Sequence, residues 1–302
     1  MYIDKVKSID ELISIDTKTY KECLTELENQ PDYTNIKSDI PRLDYLIGGF
    51  QAERLYILSA PTKSGKTTMC QTIMYNTAKK GIPSLMLSYE NSWQEVTKAF
   101  RSMANYDNKL DDLMIHLPVE YFRGANDLQF DWLESLIIKA QEEKGIELVL
   151  IDHLHFLLPL KDYNNASMII TGIVRKIKSL AVKLKIPIIL VAHTRKVNDD
   201  KVPEWTDIKD SVGISQESDV IMMMYRIKNK DRAKKIDDLN NDDVYTDLTM
   251  FSVELNRHGG TTGRIRLKHN GAYFQEMTDD EFKLIDFSNT LLKVKDKKKL
   301  YD

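Results

Sequence analysis

Residues 60–67 read Ala60-Pro-Thr-Lys-Ser-Gly-Lys-Thr67, and the stretch lies between an apolar strand and a helix. The preceding Arg54-Leu-Tyr-Ile-Leu-Ser59 is short, apolar and rich in strand formers, while Thr67–Lys80 has helical character. A loop at such a junction turns several backbone N–H groups inward, and the new helix adds the positive end of its dipole. This is a phosphate-binding loop, in which Lys66 is expected to reach the terminal phosphates and the Thr67 hydroxyl to coordinate Mg²⁺. The expected nucleotide-binding set is Ala60, Pro61, Thr62, Lys63, Ser64, Gly65, Lys66, Thr67 and Thr68. Ala60 stands where the usual pattern G-x-x-x-x-G-K-S/T has its first Gly. Taken without its flanks, the stretch also fits an ordinary Ser/Gly turn that caps a helix.

Outward from this loop, strands and helices alternate from about Ile40 onward. Strands are expected at Leu55–Ser59, Ser84–Ser88, Glu147–Asp152, Pro187–Ala192 and Val220–Arg226, with helices at Thr67–Lys80, Ser92–Met103, Phe130–Lys144 and Met168–Leu184. Near-continuous apolar strands separated by helices imply an α/β fold around a buried, mostly parallel sheet. After Arg226 the pattern changes to short strands, Thr249–Asn256, Arg264–Lys268 and Tyr273–Glu276, the last two joined by an Asn270-Gly271 turn. These read as an antiparallel C-terminal extension on one edge. Asn229–Asp243 is charged and reads as a solvated loop, and the Lys-rich Lys293–Lys299 as a solvated end. At the other end, Ser8-Ile-Asp-Glu11 has capping-box spacing, and Tyr20, Leu24 and Leu27 recur at helical spacing before Pro31. The expected organisation is a short helical segment over 1–35 that must pack on the body of the chain or on a neighbouring subunit, a nucleotide-binding body over 36–278 and a tail over 279–302.

Composition narrows the class. Of 302 residues, 42% are hydrophobic and 29% charged, the balance of a soluble globular chain. No apolar run approaches the ~18 residues of a membrane span, and the start Met-Tyr-Ile-Asp-Lys has no signal-peptide pattern. Cys23 and Cys70 stand far apart, which indicates neither a disulfide framework nor a Cys-based metal site and fits a reducing cytoplasm. A net charge of −3 lacks the global basic excess of a nucleic-acid-coating protein, although a groove needs only local positive charge.

ATP hydrolysis needs more than a phosphate cradle. Leu148-Val-Leu-Ile-Asp152 ends an apolar strand in a carboxylate, the Walker B form, which makes Asp152 the expected second Mg²⁺ anchor. Many motor ATPases place a Glu directly after that Asp; here the position is His153, so the base must come from elsewhere. Ser84–Ser88 is followed by Tyr89-Glu90, and in a parallel sheet Glu90 emerges at the same edge as Lys66 and Asp152, placed to deprotonate water. The next strand ends in His193, where a polar side chain can donate to the γ-phosphate. No ligand set beyond the Mg²⁺ anchors Thr67 and Asp152 stands out in the sequence.

The ordered motifs converge on one family. They are Ile40-Pro-Arg-Leu-Asp-Tyr-Leu-Ile-Gly-Gly-Phe50, the loop at 59–67, Leu87-Ser-Tyr-Glu90, Leu150-Ile-Asp-His-Leu154, Ala192-His-Thr-Arg195, Asp207-Ile-Lys-Asp-Ser211 with Gln216-Glu-Ser-Asp219, and Asn256-Arg-His-Gly259 with Asn270-Gly271. Over roughly residues 36–278 the chain resembles the RecA-like motor domain of DnaB-type replicative helicases, including the phage and Twinkle-like branches. The resemblance implies a P-loop NTPase, Ala60 being a common first residue of that family's loop. It gives Glu90 the role of catalytic base, His193 that of γ-phosphate sensor, and Arg257 that of an arginine finger acting on ATP in the neighbouring subunit. It matches Lys209, Asp210, Ser211 and Val212 to the loop that tracks single-stranded DNA, with Lys209 supplying the charge. Leu255 stands where the family often has Lys, and Val212 where a Gly is common. The implied protein is a hexameric, 5′→3′ helicase working in DNA replication in a bacterial or phage-infected cytoplasm, with a separate primase or helicase loader as partner. Two other readings share the fold: a RecA-like recombination ATPase that forms filaments, and a nucleotide-switched assembly or loader component that does not unwind.

Overall fold

The computed structural model describes residues 18–29, 35–107, 113–121, 128–157, 166–196, 201–228 and 245–284. The chain divides into two units, 1–34 and 35–302, so the boundary falls one residue before the expected one. In the first unit α1 (Tyr20–Asn29) is capped by Thr19, whose amide donates to Glu22 Oε2 at 2.7 Å while Thr19 Oγ1 accepts from the Glu22 amide at 3.3 Å. The expected box at Ser8–Glu11 lies outside the described residues, as do the charged segment Asn229–Asp243 and the Lys-rich end.

In the second unit a short antiparallel pair, β1 (Asn35–Ile36) and β2 (Phe50–Gln51), brackets α2 (Pro41–Ile47). The order of Pro at the helix start and a left-handed Gly48 just after its end fixes the limits of α2. The main elements follow as β3 (Leu55–Ala60), α3 (Lys66–Ala78), β4 (Ser84–Ser88), α4 (Trp93–Tyr106), β5 (Ile115–His116), α5 (Leu128–Lys144), β6 (Leu148–Asp152), α6 (Ala166–Leu184) and β7 (Ile188–His193). Then come α7 (Ser211–Glu217), β8 (Val220–Lys228), β9 (Tyr245–Asn256), β10 (Gly263–His269), β11 (Phe274–Glu276) and α8 (Asp279–Lys283).

The described strands from β3 onward form one nine-stranded sheet in the order β11-β10-β9-β8-β3-β7-β6-β4-β5. From β8 to β5 every pairing is parallel, and β9, β10 and β11 add an antiparallel wing. The sheet is therefore the expected α/β arrangement with the expected C-terminal extension. Because β3 is buried on both faces, its alternate residues feed two cores. Tyr56, Leu58 and Ala60 pack with Met69, Ile73 and Phe100 from α3 and α4. Leu55 and Ile57 pack with Leu133, Ile137, Val174 and Ile177 from α5 and α6. The fold continues past residue 278: Thr278 caps α8, and Phe282 is buried with Val202, Tyr225, Ile227 and Met250.

The wing also closes over the phosphate-loop helix. Asn270 Oδ1 accepts from the amides of Ala272 and Tyr273, Gly271 takes a positive φ of 97°, and the turn delivers Phe274 onto α3, where its amide donates to Thr72 Oγ1 at 3.2 Å. This cover explains why α3 is buried nearly all round rather than on one stripe.

Candidate active site

Parallel pairing brings the carboxyl ends of β3, β4, β6 and β7 to one edge, and each end delivers a site residue. After β3 the chain turns through Lys63 and Gly65, both at positive φ, and enters α3 at Lys66. Gly65 is favoured by its φ of 85°, and a Cβ there would also press to 3.1 Å from the Phe274 ring. Lys66 is buried, and its Nζ donates to the carbonyls of Ala60 at 3.1 Å and Pro61 at 3.3 Å. Burial pushes its pKa below the usual lysine value, against the opposing pull of Asp152 and Glu90.

Asp152 closes β6 and is 1% exposed. Its Oδ2 accepts from Thr67 Oγ1 at 2.9 Å. Burial pushes its carboxyl up to about 6; the Thr67 hydrogen bond opposes the rise, Glu90 adds to it and Lys66 offsets it. Thr67 and Asp152 thus present hard oxygen donors side by side at the mouth of the phosphate loop, a donor set that fits Mg²⁺.

Register places the remaining groups. Ser88 pairs with Asp152 at the ends of β4 and β6, so Glu90 and His153 emerge beside each other. Glu90 Oε1 lies 3.0 Å from His153 Nε2 and 3.7 Å from His193 Nε2. Ala60 pairs with His193 at the ends of β3 and β7, which sets His193 next to the phosphate loop. Burial first, then His155 and Lys66, pushes His153 down to about 4. Burial, then His153 and Lys66, does the same to His193. Both imidazoles are therefore neutral near pH 7. Lys66 and Thr67, chosen from the loop motif, and Glu90, Asp152 and His193, chosen from strand ends, come together at this edge; His153 joins them unforeseen. The signal for it was available, since it is the residue after a strand-ending Asp beside the strand that delivers Glu90.

The segment Lys209–Val212 is tied to the same strand end. The Lys209 amide donates to the His193 carbonyl at 3.0 Å and the Arg195 amide to the Asp207 carbonyl at 2.7 Å. Lys209 and Val212 are exposed, Asp210 is half-buried at a positive φ of 60°, and Ser211 is buried. Val212 points outward, so the absence of a Gly there creates no crowding. The close approach falls on Gly213, where a Cβ would stand 1.9 Å from Thr171 Oγ1.

Arg257 does not join this cluster. Asn256 pairs with Val220 at the start of β8, so Arg257 lies at the amino edge of the parallel strands. β3 spans six residues, so the two edges stand about 17–20 Å apart at ~3.3 Å per residue. There Arg257 donates to the Ser215 carbonyl and, through its amide, to the Asp219 carbonyl. Asp219 is the hub of that edge, a role the sequence reading did not assign. It accepts from the Leu55 amide at 2.7 Å, from Lys178 Nζ at 2.6 Å and from His258 Nε2 at 2.7 Å. Burial would raise its carboxyl, but these three donors outweigh it and hold the pKa below the ordinary value.

The family model for the DnaB-like helicase C terminal domain matches residues 35–111 and 103–277. The chain belongs to this family. Replicative DNA helicase DnaB of Haemophilus influenzae is 26% identical over 274 residues, covering 83% of this chain and 56% of that relative. A probable replicative DNA helicase of Trieres chinensis is 25% identical over 297 residues, covering 89% of the chain and 63% of the relative. The chain thus spans somewhat more than half the length of these relatives. Among solved structures, a DnaB-like replicative helicase studied with its primase interactions superposes with a TM-score of 0.65 at 19% identity, over 89% of this chain and 70% of that one. These neighbours share the RecA-like ATPase fold of the family. Among the described residues, no helix is long and apolar enough to cross a membrane.

Proposed function

We propose that the chain is the ATP-hydrolysing motor of a ring-forming DNA helicase that moves along single-stranded DNA, 5′→3′, during replication. The observation that carries this reading is a division between two edges. One edge assembles Lys66, Thr67, Glu90, Asp152 and His193, while Arg257 stands at the other, beyond reach of its own phosphate loop. An active site built this way is half of a site, and a neighbouring copy supplies the missing cation; a closed ring, hexameric as in the family's expected form, gives every site a neighbour. Residues 1–35 would serve the same assembly as a docking segment, with a separate primase or loader as outside partner.

In this reading Ala60–Thr68 cradle the phosphates, and Lys66 gives up its carbonyl contacts for the β- and γ-phosphates. Thr67 and Asp152 hold Mg²⁺, which when bound neutralises phosphate charge. Glu90 takes a proton from the attacking water, and His193 donates to the γ-phosphate. Arg257 of the neighbour stabilises the transition-state charge. Lys209 follows the DNA backbone, a contact blind to sequence and weakened by salt. The hydrogen bond from the Lys209 amide to the His193 carbonyl joins the DNA loop to the phosphate sensor's strand.

The test is a forked duplex with a free 5′ tail, run with ATP and with a non-hydrolysable analogue. Strand separation with ATP alone, abolished by Lys66→Ala, is the expected outcome. ATP-dependent rings that never separate strands, with or without a loader, would establish the assembly reading; filaments on DNA would establish the recombination reading.

A further inference from the structure

We propose that His153 is a positioning residue that holds the carboxylate of Glu90 through an Nε2–H donor and so aims the base at the attacking water. The inference rests on Glu90 being the base and deepens that reading.

The tautomer follows from the neighbours. The His155 amide donates to His153 Nδ1 at 3.2 Å, which makes that nitrogen the acceptor and leaves the proton on Nε2. Nε2 lies 3.0 Å from Glu90 Oε1, an ion-pair distance that needs only alignment of the two groups to become a hydrogen bond. The two partners differ in freedom. The His153 side chain is 8% exposed, and its ring packs 4.8 Å from that of Phe156 and 4.0 Å from that of His193. The Glu90 side chain is 41% exposed, on a flexible stem that needs a fixed partner to hold one geometry. A packed imidazole is that partner. His193 Nε2, at 3.7 Å from the same oxygen, is too far for a hydrogen bond. The two histidines therefore divide the work, His153 holding the base and His193 remaining free to face the γ-phosphate.

The step balances without a further reactant. A water O–H bond breaks, its proton passes to the second carboxylate oxygen of Glu90, its oxygen bonds to the γ-phosphorus, and ADP departs with the bridging oxygen. His153 forms and breaks no covalent bond. Where other motor ATPases put the base itself directly after the Walker B carboxylate, this chain puts the base's holder and takes the base from the adjacent strand.

The same three side chains also offer ligand atoms that all lie within 4.8 Å of one another. A transition-metal ion bound there would use the Nε2 lone pair of His153 and drive its proton onto Nδ1, against the His155 amide. Donation from Nε2 to Glu90 and metal binding exclude each other, and the His155 amide on Nδ1 favours donation.

The experiment is steady-state ATP hydrolysis by the full chain on single-stranded DNA, comparing H153L, H153Q, E90Q and E90Q/H153L. H153L is expected to lower kcat about 10²-fold while KM for ATP stays within about twofold. H153Q, whose amide can still donate, recovers most of the loss. The double variant is no slower than E90Q, because His153 acts only through Glu90. Should H153L not fold, H153N takes its place, since its shorter amide cannot reach Oε1. Wild-type turnover in the donor-free variant, or an equal slowing of E90Q by the second substitution, overturns the proposal. So does Co²⁺ bound by the chain at micromolar concentration and released by H153Q. Full activity in E90Q instead sinks the base assignment itself, which is a separable result.

Discussion

Two aspartates at opposite edges of one sheet have been given opposite chemistry. Asp152 ends β6 at the carboxyl edge and Asp219 precedes β8 at the amino edge, and both are at least 95% buried. Asp219 collects a backbone amide, a lysine and a histidine, and its carboxyl falls below the ordinary pKa despite burial. Asp152 has one hydroxyl donor and a nearby Glu90, and burial carries it up to about 6. A carboxylate whose charge is fully answered by protein is a staple: it ties the start of β3 to α6 and to the turn after β9. A carboxylate whose charge is under-answered is a site that a cation completes. Lys66 repeats the lesson with the opposite sign, being buried and lowered beside the same loop.

The contrast predicts that the two edges fail differently. Lys66→Ala and Arg257→Ala come from opposite edges, yet both should suppress DNA-stimulated ATP hydrolysis, by at least ~10³-fold for the loop lysine and about 10³–10⁵-fold for the proposed finger. Only the first should weaken nucleotide binding, as read by fluorescent-nucleotide titration. An Arg257→Ala protein that turns over normally in its assembled form would break the comparison. Glu90→Gln should cost about 10²–10⁴-fold in kcat, with a melting temperature close to that of the parent because the side chain is 41% exposed and the swap keeps its shape.

The staple should behave the other way round. Asp219→Ala should destabilise the fold by roughly 2–4 kcal/mol, since it strands Lys178 and the Leu55 amide, as measured by urea denaturation. Its folded pKa is depressed, so its contribution is present above the unfolded value near 4 and is lost as pH falls through the lower folded value. The parent should therefore lose stability on acidification below about pH 4, and Asp219→Asn should flatten that part of the profile. An unchanged profile in Asp219→Asn would remove the staple from the account. The smallest expected effect belongs to the proposed DNA loop: Lys209→Ala should reduce the salt dependence of single-strand binding by about 0.7 in the log–log slope.

How much of this was legible beforehand depended on whether a feature was local. The strands around the loop are near-continuous apolar runs, so their positions followed from composition, and the parallel rule then assigned Glu90, Asp152 and His193 to one edge. The ladder between Ala60 and His193 carries β7 one residue further than its apolar run suggested. What stayed hidden needs side chains from distant segments. Asp219 meets Leu55, Lys178 and His258 only after β8 is laid beside β3. Phe274 reaches Gly65 only because the C-terminal wing folds back over α3. His153 was read as the place where a Glu was missing, because the role proposed for it lies in a contact with Glu90, 63 positions earlier, and in a tautomer set by the His155 backbone. Arg257 was assigned by resemblance alone, and its distance from the loop became meaningful only once the antiparallel register of β9 was known.

The central claim is that the phosphate loop of one copy and Arg257 of the next make a single site. The direct measurement mixes Lys66→Ala and Arg257→Ala proteins, each inactive by itself, under conditions where subunits exchange, and follows ATP hydrolysis against the mixing ratio. Mixed assemblies contain interfaces with an intact loop facing an intact finger, so the account predicts recovered activity with a maximum at intermediate ratios. A mixture that co-assembles and stays as inactive as its components would contradict it.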